Sequence, residues 1–299
     1  MERHYIVAGH RFTVETTEEV INELDSYRPF IDYEGGDSVF TLQVTKAETP
    51  IIYKKEYHQD DEGQSIVCGE SPEGKTVVEY LIEGETAGWL VCNQDFSKAV
   101  IHYKERHRNF AVDNSLMLMY TFATSCRQTA LFHSSVVSHQ GKAYMFLGKS
   151  GTGKSTHSQL WLKHIEGTEL VNDDNPVVRI IDGEAWVYGS PWSGKAPCYR
   201  NVVYPIGSIV LLKQASQNAI RHMKSIEAYA ALVMSVSGMR WNSRMADGLH
   251  HTESLLTATV PIWRLDCRPD QDAAELCHTT IAECRSRDLM KRPRTLRFP

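Results

Sequence analysis

No run of 18 apolar residues occurs anywhere in the 299-residue sequence, so an ordinary transmembrane helix is not encoded. The opening residues, Met-Glu-Arg-His-Tyr-Ile, lack the apolar core of a secretory signal. Cysteine is sparse: seven residues (Cys68, Cys92, Cys126, Cys198, Cys267, Cys277 and Cys284) lie far apart, with no C-x-x-C pair. An odd, dispersed set excludes a disulfide framework and a zinc knuckle, and fits reduced thiols in a cytoplasm. Residues 285–297 hold six Lys+Arg, but without the aromatic or groove-reading company that nucleic-acid binding needs. That stretch reads as a solvated tail or an oligomer arm. Neither a membrane nor a nucleic acid is expected as a partner.

Hydrophobic residues make up 42% and charged residues 23%, the balance of an ordinary globular protein. The length allows two domains with their own cores. The net charge of −5 is unevenly spread. Residues 1–108 carry 11 Lys+Arg against 21 Asp+Glu, a balance of −10, and the remainder is at +5. The later, more basic part is the better host for an anion.

Residues 1–108 are written mostly in short strands. Residues 40–44 alternate apolar and polar, as residues 77–82 do in part, and residues 88–92 and 99–103 read as closing strands. Gly35-Gly36, Glu62-Gly63 and Glu73-Gly74 supply turns between them. Residues 17–27 form one helix candidate, with Val20, Ile21 and Leu24 on a single face. An antiparallel, meander-like β domain follows, with no cluster of catalytic residue types. Its expected role is to select, dock or assemble.

Asn109 to Ser115 reads as the junction to a second domain spanning 109–299. Asn114 or Ser115 is placed to cap a helix whose Leu116, Met119, Tyr120, Ala123 and Cys126 recur at helical spacing. That stripe reads as core. Residues 131–137 and 143–147 read as a hairpin or as two neighbouring strands, with His139-Gln-Gly-Lys142 between them. Further strands are expected over 168–172, 176–181 with 184–188 as an Asp-Gly hairpin, 206–212 and 259–265. Helices are expected over 225–236 and 271–284.

The chemistry is concentrated after residue 147. Gly148, Gly153, Lys154 and Ser155 fill the fixed positions of G-x-x-x-x-G-K-[ST], between an apolar strand and a helix without Pro or Gly. Glycines let backbone N–H groups curl around phosphate oxygens, and the helix N-terminus adds partial positive charge. The nucleotide contacts are therefore expected from Gly148, Ser150, Gly151, Thr152, Gly153, Lys154, Ser155 and Thr156. Lys154 would reach the β- and γ-phosphates, and the Ser155 hydroxyl would ligate Mg²⁺. Asp173 and Asp174 end the next strand, where one acid can hold a metal and the other accept a hydroxyl proton. His133 precedes the phosphate-loop strand and, as a lone histidine in a strand, reads more readily as a core or rim residue than as a participant. The turn-rich loop with Ser193, Gly194 and Lys195, followed by Arg200, is the candidate acceptor contact.

With Gly148-Lys-Ser-Gly-Thr-Gly-Lys-Ser-Thr156, a helix, and Val171-Asn-Asp-Asp174 nineteen residues past Lys154, the chain resembles the HPr serine kinase and ATP-type phosphoenolpyruvate carboxykinase group. The resemblance covers roughly residues 110–285 and centres on 131–175. It implies a carboxykinase-like phosphate-loop domain with a mixed sheet, and an α+β or α/β architecture overall. It further implies ATP and Mg²⁺ as cofactors, Asp173 as the base, Asp174 assisting the metal, and His133 supporting acid and phosphate. The two aspartates are open to exchange. Thr156 stands where HPr kinases carry an acid, and their Glu-Val-Arg-Gly-Leu-Gly signature is absent. The chain is thus similar to divergent HPr-kinase-like proteins and not to HPr kinase proper. The expected reaction is transfer of the terminal phosphoryl group of Mg·ATP to a hydroxyl, on a protein or peptide Ser or on a small molecule such as serine. A non-catalytic nucleotide sensor or assembly protein is the competing class, and an NTPase driving conformational change the third.

Overall fold

A computed structural model describes residues 1–61, 63–194 and 196–283. Among them the chain forms two compact units, residues 1–127 with 238–248, and residues 128–237 with the chain from 249 onward.

In the first unit, eight strands of the described residues form one sheet. They are β1 (Glu2–Val7), β2 (His10–Glu15), β3 (Phe40–Lys46), β4 (Lys54–Asp61), β5 (Gln64–Glu70), β6 (Thr76–Ile82), β7 (Glu85–Cys92) and β8 (Lys98–Tyr103), in the order β1-β2-β3-β8-β7-β6-β5-β4. The pattern is not the wholly antiparallel meander that alternation suggests: β3 lies parallel to both β2 and β8. A parallel neighbour needs a crossover. Here α1 (Glu18–Glu23), capped by Thr17, and a 3₁₀ turn over Asp25–Phe30 supply the crossover from β2 to β3.

The helix α2 (Arg108–Thr124) belongs to this unit, so the unit boundary lies near residue 127 rather than at 108. The reason is its apolar stripe. Leu116, Met119 and Tyr120 are fully buried, and the Tyr120 hydroxyl donates to Val7 O at 3.0 Å. Cys126, the last residue of the predicted stripe, is exposed. Neither Asn114 nor Ser115 caps the helix. It begins six residues earlier, and both side chains donate back to carbonyls one turn away, Phe110 O at 2.9 Å and Ala111 O at 2.6 Å.

Midway along α2, Asp113 accepts the Tyr27 hydroxyl at 2.7 Å, and burial pushes its carboxyl up to about 6. A carboxyl raised above its unfolded value binds protons in the native state, so stability falls as pH rises from about 4 to 6. Asp113→Asn is therefore expected to raise the midpoint of thermal unfolding at pH 7, by about 1–3 kcal/mol of stability. It should have little effect at pH 4, and melting curves at the two pH values check this.

The second unit holds β9 (Thr129–Leu131), β10 (Ser134–His139), β11 (Lys142–Leu147), β12 (Thr168–Asp174), β13 (Val177–Ile181), β14 (Glu184–Tyr188), β15 (Val203–Gln214), β16 (Ala219–His222) and β17 (Ile262–Cys267). Their sheet is mixed, so mixed α/β content with two sheets describes the chain. The strands β11, β15 and β17 are mutually parallel, and β10, β12 and β16 run antiparallel to their neighbours. The long β15 serves three partners, pairing through its first residues with β14 and through its later ones with β11 and β17. The β13–β14 hairpin turns at Asp182 and Gly183, both at positive φ (51° and 80°), as the Asp-Gly pair predicts.

Helices α3 (Lys154–His164), α4 (Ser225–Val233), α5 (Ser243–Thr259) and α6 (Gln271–His278) complete the described residues, with a π turn over Thr279–Glu283. Cys284 and the basic tail lie outside them. One core cluster joins Phe146 of β11, Trp161 of α3, Val210 of β15, Leu265 of β17 and Cys277 of α6. It seats α3 and α6 against the parallel strands. Sequence pattern misses α5 because Gly248 interrupts it, yet that glycine is required: a Cβ there would lie 2.5 Å from Ser125 O. No helix among the described residues is long and apolar enough to cross a membrane.

Candidate functional site

Five buried residues, Ala143 to Leu147, carry β11 into the glycine-rich loop. Gly151 (φ 74°) and Gly153 (φ 104°) hold left-handed backbone, and nothing lies within 4 Å of a Cβ built on either. Their need for glycine is conformational, not spatial. Gly153 ends the loop as the N-cap of α3, where no side chain caps the helix and no acid occupies the first turn. The first-turn N–H groups have no intrahelical acceptors, so they face outward with the positive end of the helix dipole. Ser150, Ser155 and Thr156 are exposed beside them. The Gly151–Thr152 peptide is tied at both ends: Gln214 Nε2 donates to Gly151 O at 3.1 Å, and Thr152 N donates to Lys149 O at 3.1 Å.

Lys154, only 8% exposed, turns its ammonium back beneath the loop. Nζ donates to Gly148 O at 3.0 Å and lies 3.0 Å from His133 Nε2. An ammonium has no acceptor, so a hydrogen bond between them requires His133 to present a lone pair at Nε2. The same Nε2 is 3.4 Å from Asp174 Oδ1. One ring nitrogen therefore faces both a cation and an acid. Burial pushes Lys154 down, opposed by the carboxylates of Asp174 and Asp173. It pushes Asp174 up, against the pull of His133 and Lys154 and with the help of Asp173. Lys154, His133 and Asp174 thus form one electrostatically linked group.

The two aspartates do not face the same way. In the β10–β12 ladder Ser135 stands opposite Asp173 and Ser134 opposite Asp174. Directly opposed side chains share a face, and successive ones alternate. The Ser135 hydroxyl meets Ser158 of α3 at 2.6 Å, so Asp173 lies on the α3 face, where it is 5% exposed. Asp174 lies on the other face with its side chain 38% exposed. Strand pleat alone gives the neighbouring acids different surroundings.

The loop after β14 closes on this pair. Asn172, fully buried, donates to Ser190 Oγ at 3.1 Å and Trp192 O at 3.2 Å, and Ser190 Oγ donates to Asn175 O at 2.6 Å. Ser193 then bridges Asp174 through the backbone, and Gly194 N donates to Asp173 O at 2.7 Å. Ser193 and Gly194 therefore sit at the acids, and the Ser193 hydroxyl donates to Ala196 O at 2.7 Å. Lys195 lies outside the described residues. Arg200 sits elsewhere: it binds Leu170 O at 2.6 Å and Glu169 Oε2 at 2.7 Å, some 13 Å of strand from Asp174.

Sequence reasoning missed Asn172, Ser190 and Gln214. For Asn172 there was a signal, a polar residue inside an apolar strand just before two acids. A Cβ on Gly194 would come 2.9 Å from Asp173 O and 3.2 Å from Asp174 Cβ. Gly194→Ala is expected to push the loop off the acids and to lower the thermal midpoint of unfolding, since the added methyl overpacks a close backbone contact; melting curves of the variant check it.

No group of three or more His, Cys, Asp or Glu among the described residues could hold a metal by itself. Mg²⁺ at a nucleotide does not need one, because it takes one or two protein oxygens and completes its shell with phosphate and water. The exposed Ser155 hydroxyl and the carboxylate of Asp173, on the α3 face, are the hard oxygen donors that fit, and the uncapped helix start suits the phosphates.

No family model and no curated protein matches the sequence. Among solved structures, the chain is similar to the HPr(Ser) kinase/phosphatase from Coxiella burnetii, at 10% identity and a TM-score of 0.33. The match covers 53% of this chain and 98% of that one. The likeness is distant, and the chemistry of the site rests on this chain's own residues.

Proposed function

We propose that the second unit is a carboxykinase-like, Mg·ATP-dependent kinase that phosphorylates an alcohol. The acceptor is the hydroxyl of a protein or peptide Ser, or of a small molecule such as free serine. The observation that carries this reading is the close cluster of Lys154, His133 and Asp174 beside an uncapped helix N-terminus. A site that only bound nucleotide would need the loop and the lysine. It would not need a half-exposed carboxylate with its own histidine.

In this reading Lys154 exchanges Gly148 O and His133 for the β- and γ-phosphate oxygens. Asp174, reachable from solvent, takes the acceptor's proton as its oxygen bonds to the γ-phosphorus. The bond from that phosphorus to the bridging oxygen breaks, and ADP leaves with the electron pair. His133 holds Asp174 ionised and can share the proton. Ser155 and Asp173 would hold Mg²⁺, which supplies charge neutralisation on the phosphates. This reverses the expected duties of the two aspartates, because Asp173 lies on the α3 face with little exposure while Asp174 is open. Gly194 and Ser193 wall the acceptor side.

The test is ADP release with Mg²⁺ across a panel of free serine, other small alcohols and heat-treated lysate protein. Acceptor-dependent release that disappears in Asp174→Asn is expected. Tight ATP binding without turnover under every condition would leave a nucleotide sensor instead.

A further inference from the structure

The eight-stranded sheet of the first unit ends in β4, which pairs only with β5 among the described residues. An open edge presents a row of N–H and C=O groups to any further strand, and natural edges are commonly blunted by charge. Residues 54–60 are all exposed, and their charges are ordered. Lys54 and Lys55 begin the strand, Glu56 and His58 follow, and Asp60 stands near its end. Within the strand Lys54 meets Glu56 at 3.3 Å and His58 meets Asp60 at 2.9 Å. Lys55 turns inward to Glu79 at 3.3 Å. At the centre, Tyr57 stacks on Trp241 with ring centres 4.2 Å apart, and both rings stay 40% or more exposed. Exposed, pre-ordered aromatic pairs of this kind suit the middle of an interface.

A strand with base at its start and acid at its end complements a copy of itself laid antiparallel. Symmetry narrows the register. Successive pairs in an antiparallel ladder alternate between hydrogen-bonded and non-hydrogen-bonded, so a two-fold axis must pass through a residue that faces its own copy. With Tyr57 on the axis, Lys54 faces Asp60 of the copy, Lys55 faces Gln59, and Glu56 faces His58. Each charge then has an opposite charge across the ladder as well as beside it in its own strand. An axis at Lys55 or at Glu56 would set that residue against itself, and one at His58 would set Glu56 against Asp60. Like charges directly opposed destabilise a ladder, so among these centres the charges select Tyr57. The β4–β5 ladder shifts by one residue between Lys55 and Tyr57, a step that the flexible stem of Lys54 can span.

We propose that β4 pairs with β4 of a second copy of this chain, antiparallel and two-fold symmetric about Tyr57. The pairing joins two eight-stranded sheets into one. Two Tyr57–Trp241 pairs lie at its centre, and charges of alternating sign flank them on either side. This surface does not depend on the kinase reading.

Sedimentation velocity of the full chain tests it, over about 1–200 μM, the range suited to an interface at the small end of specific ones. A monomer–dimer equilibrium is expected. Lys54→Glu and Asp60→Lys should each weaken it by about tenfold or more, because each sets like charges against one another at both ends of the ladder. Mixed in equal amounts, the two variants should associate as tightly as the native chain. The introduced charges then face each other, and so do the native Lys54 and Asp60. Both side chains are exposed, at 81% and 70%, and recovery on mixing excludes a folding defect as the cause of the loss. A chain that stays monomeric throughout would overturn the proposal. So would a dimer that survives both reversals, or variants that stay apart when mixed.

Discussion

Asp174→Asn is expected to lower phosphoryl transfer by about 10³-fold, within the span that removal of a positioned general base produces. Nucleotide affinity should change little, since the amide keeps the shape and the contact from Asn175, which donates to Asp174 Oδ2 at 2.8 Å. The pH profile of the native protein carries the second half of this prediction. Burial raises Asp174, so turnover should climb with pH through a midpoint above the ordinary carboxylate range. His133 opposes that rise. His133→Gln should therefore move the midpoint higher still, leaving less base at neutral pH. A midpoint that stayed at the ordinary carboxylate value in both proteins would remove Asp174 from the role of base. Rates at saturating nucleotide between pH 4 and 8 decide it.

Lys154→Met should lower transfer by a comparable factor, about 10²–10³-fold, because among the described residues no other lysine or arginine is buried to meet developing phosphate charge. Unlike Asp174→Asn, it should also weaken nucleotide binding. Its effect on stability has the opposite sign. A lysine pushed down by burial binds fewer protons folded than unfolded, so native stability rises with pH up to the ordinary lysine value. Below that window the fold carries a desolvated charge that methionine would not. Lys154→Met is accordingly expected to melt at or above the native temperature at pH 7, with the advantage shrinking toward pH 10. Calorimetry at the two pH values, beside nucleotide titration, separates a functional loss from an unfolded variant.

The glycine-rich loop between strand and helix, the acid pair and most strands were legible because each is a local pattern. Glycines at fixed spacing, an apolar run before them and a helix after them are written within about fifteen residues. The hairpins over β10–β11 and β13–β14 were legible for the same reason, since a two-residue turn fixes which strands meet. The parallel pairing of β3 with β2 and β8 was not legible. Neither was the assignment of α2 to the first unit, which depends on which sheet takes its apolar stripe.

At the site, the sequence by itself determined which residue types stand ready: Lys154 and Ser155 at a helix start, two acids at a strand end, and a histidine upstream. Tertiary structure alone decided how they are arranged. Pleat and register on β10 send Asp173 toward α3 and Asp174 toward His133. Gln214 reaches Gly151 across 63 residues, and Asn172 fastens a loop 18 residues away. Such contacts have no periodicity to betray them. They exist because β11 and β15 are neighbours and because a buried amide in β12 must find hydrogen-bond partners wherever the fold supplies them.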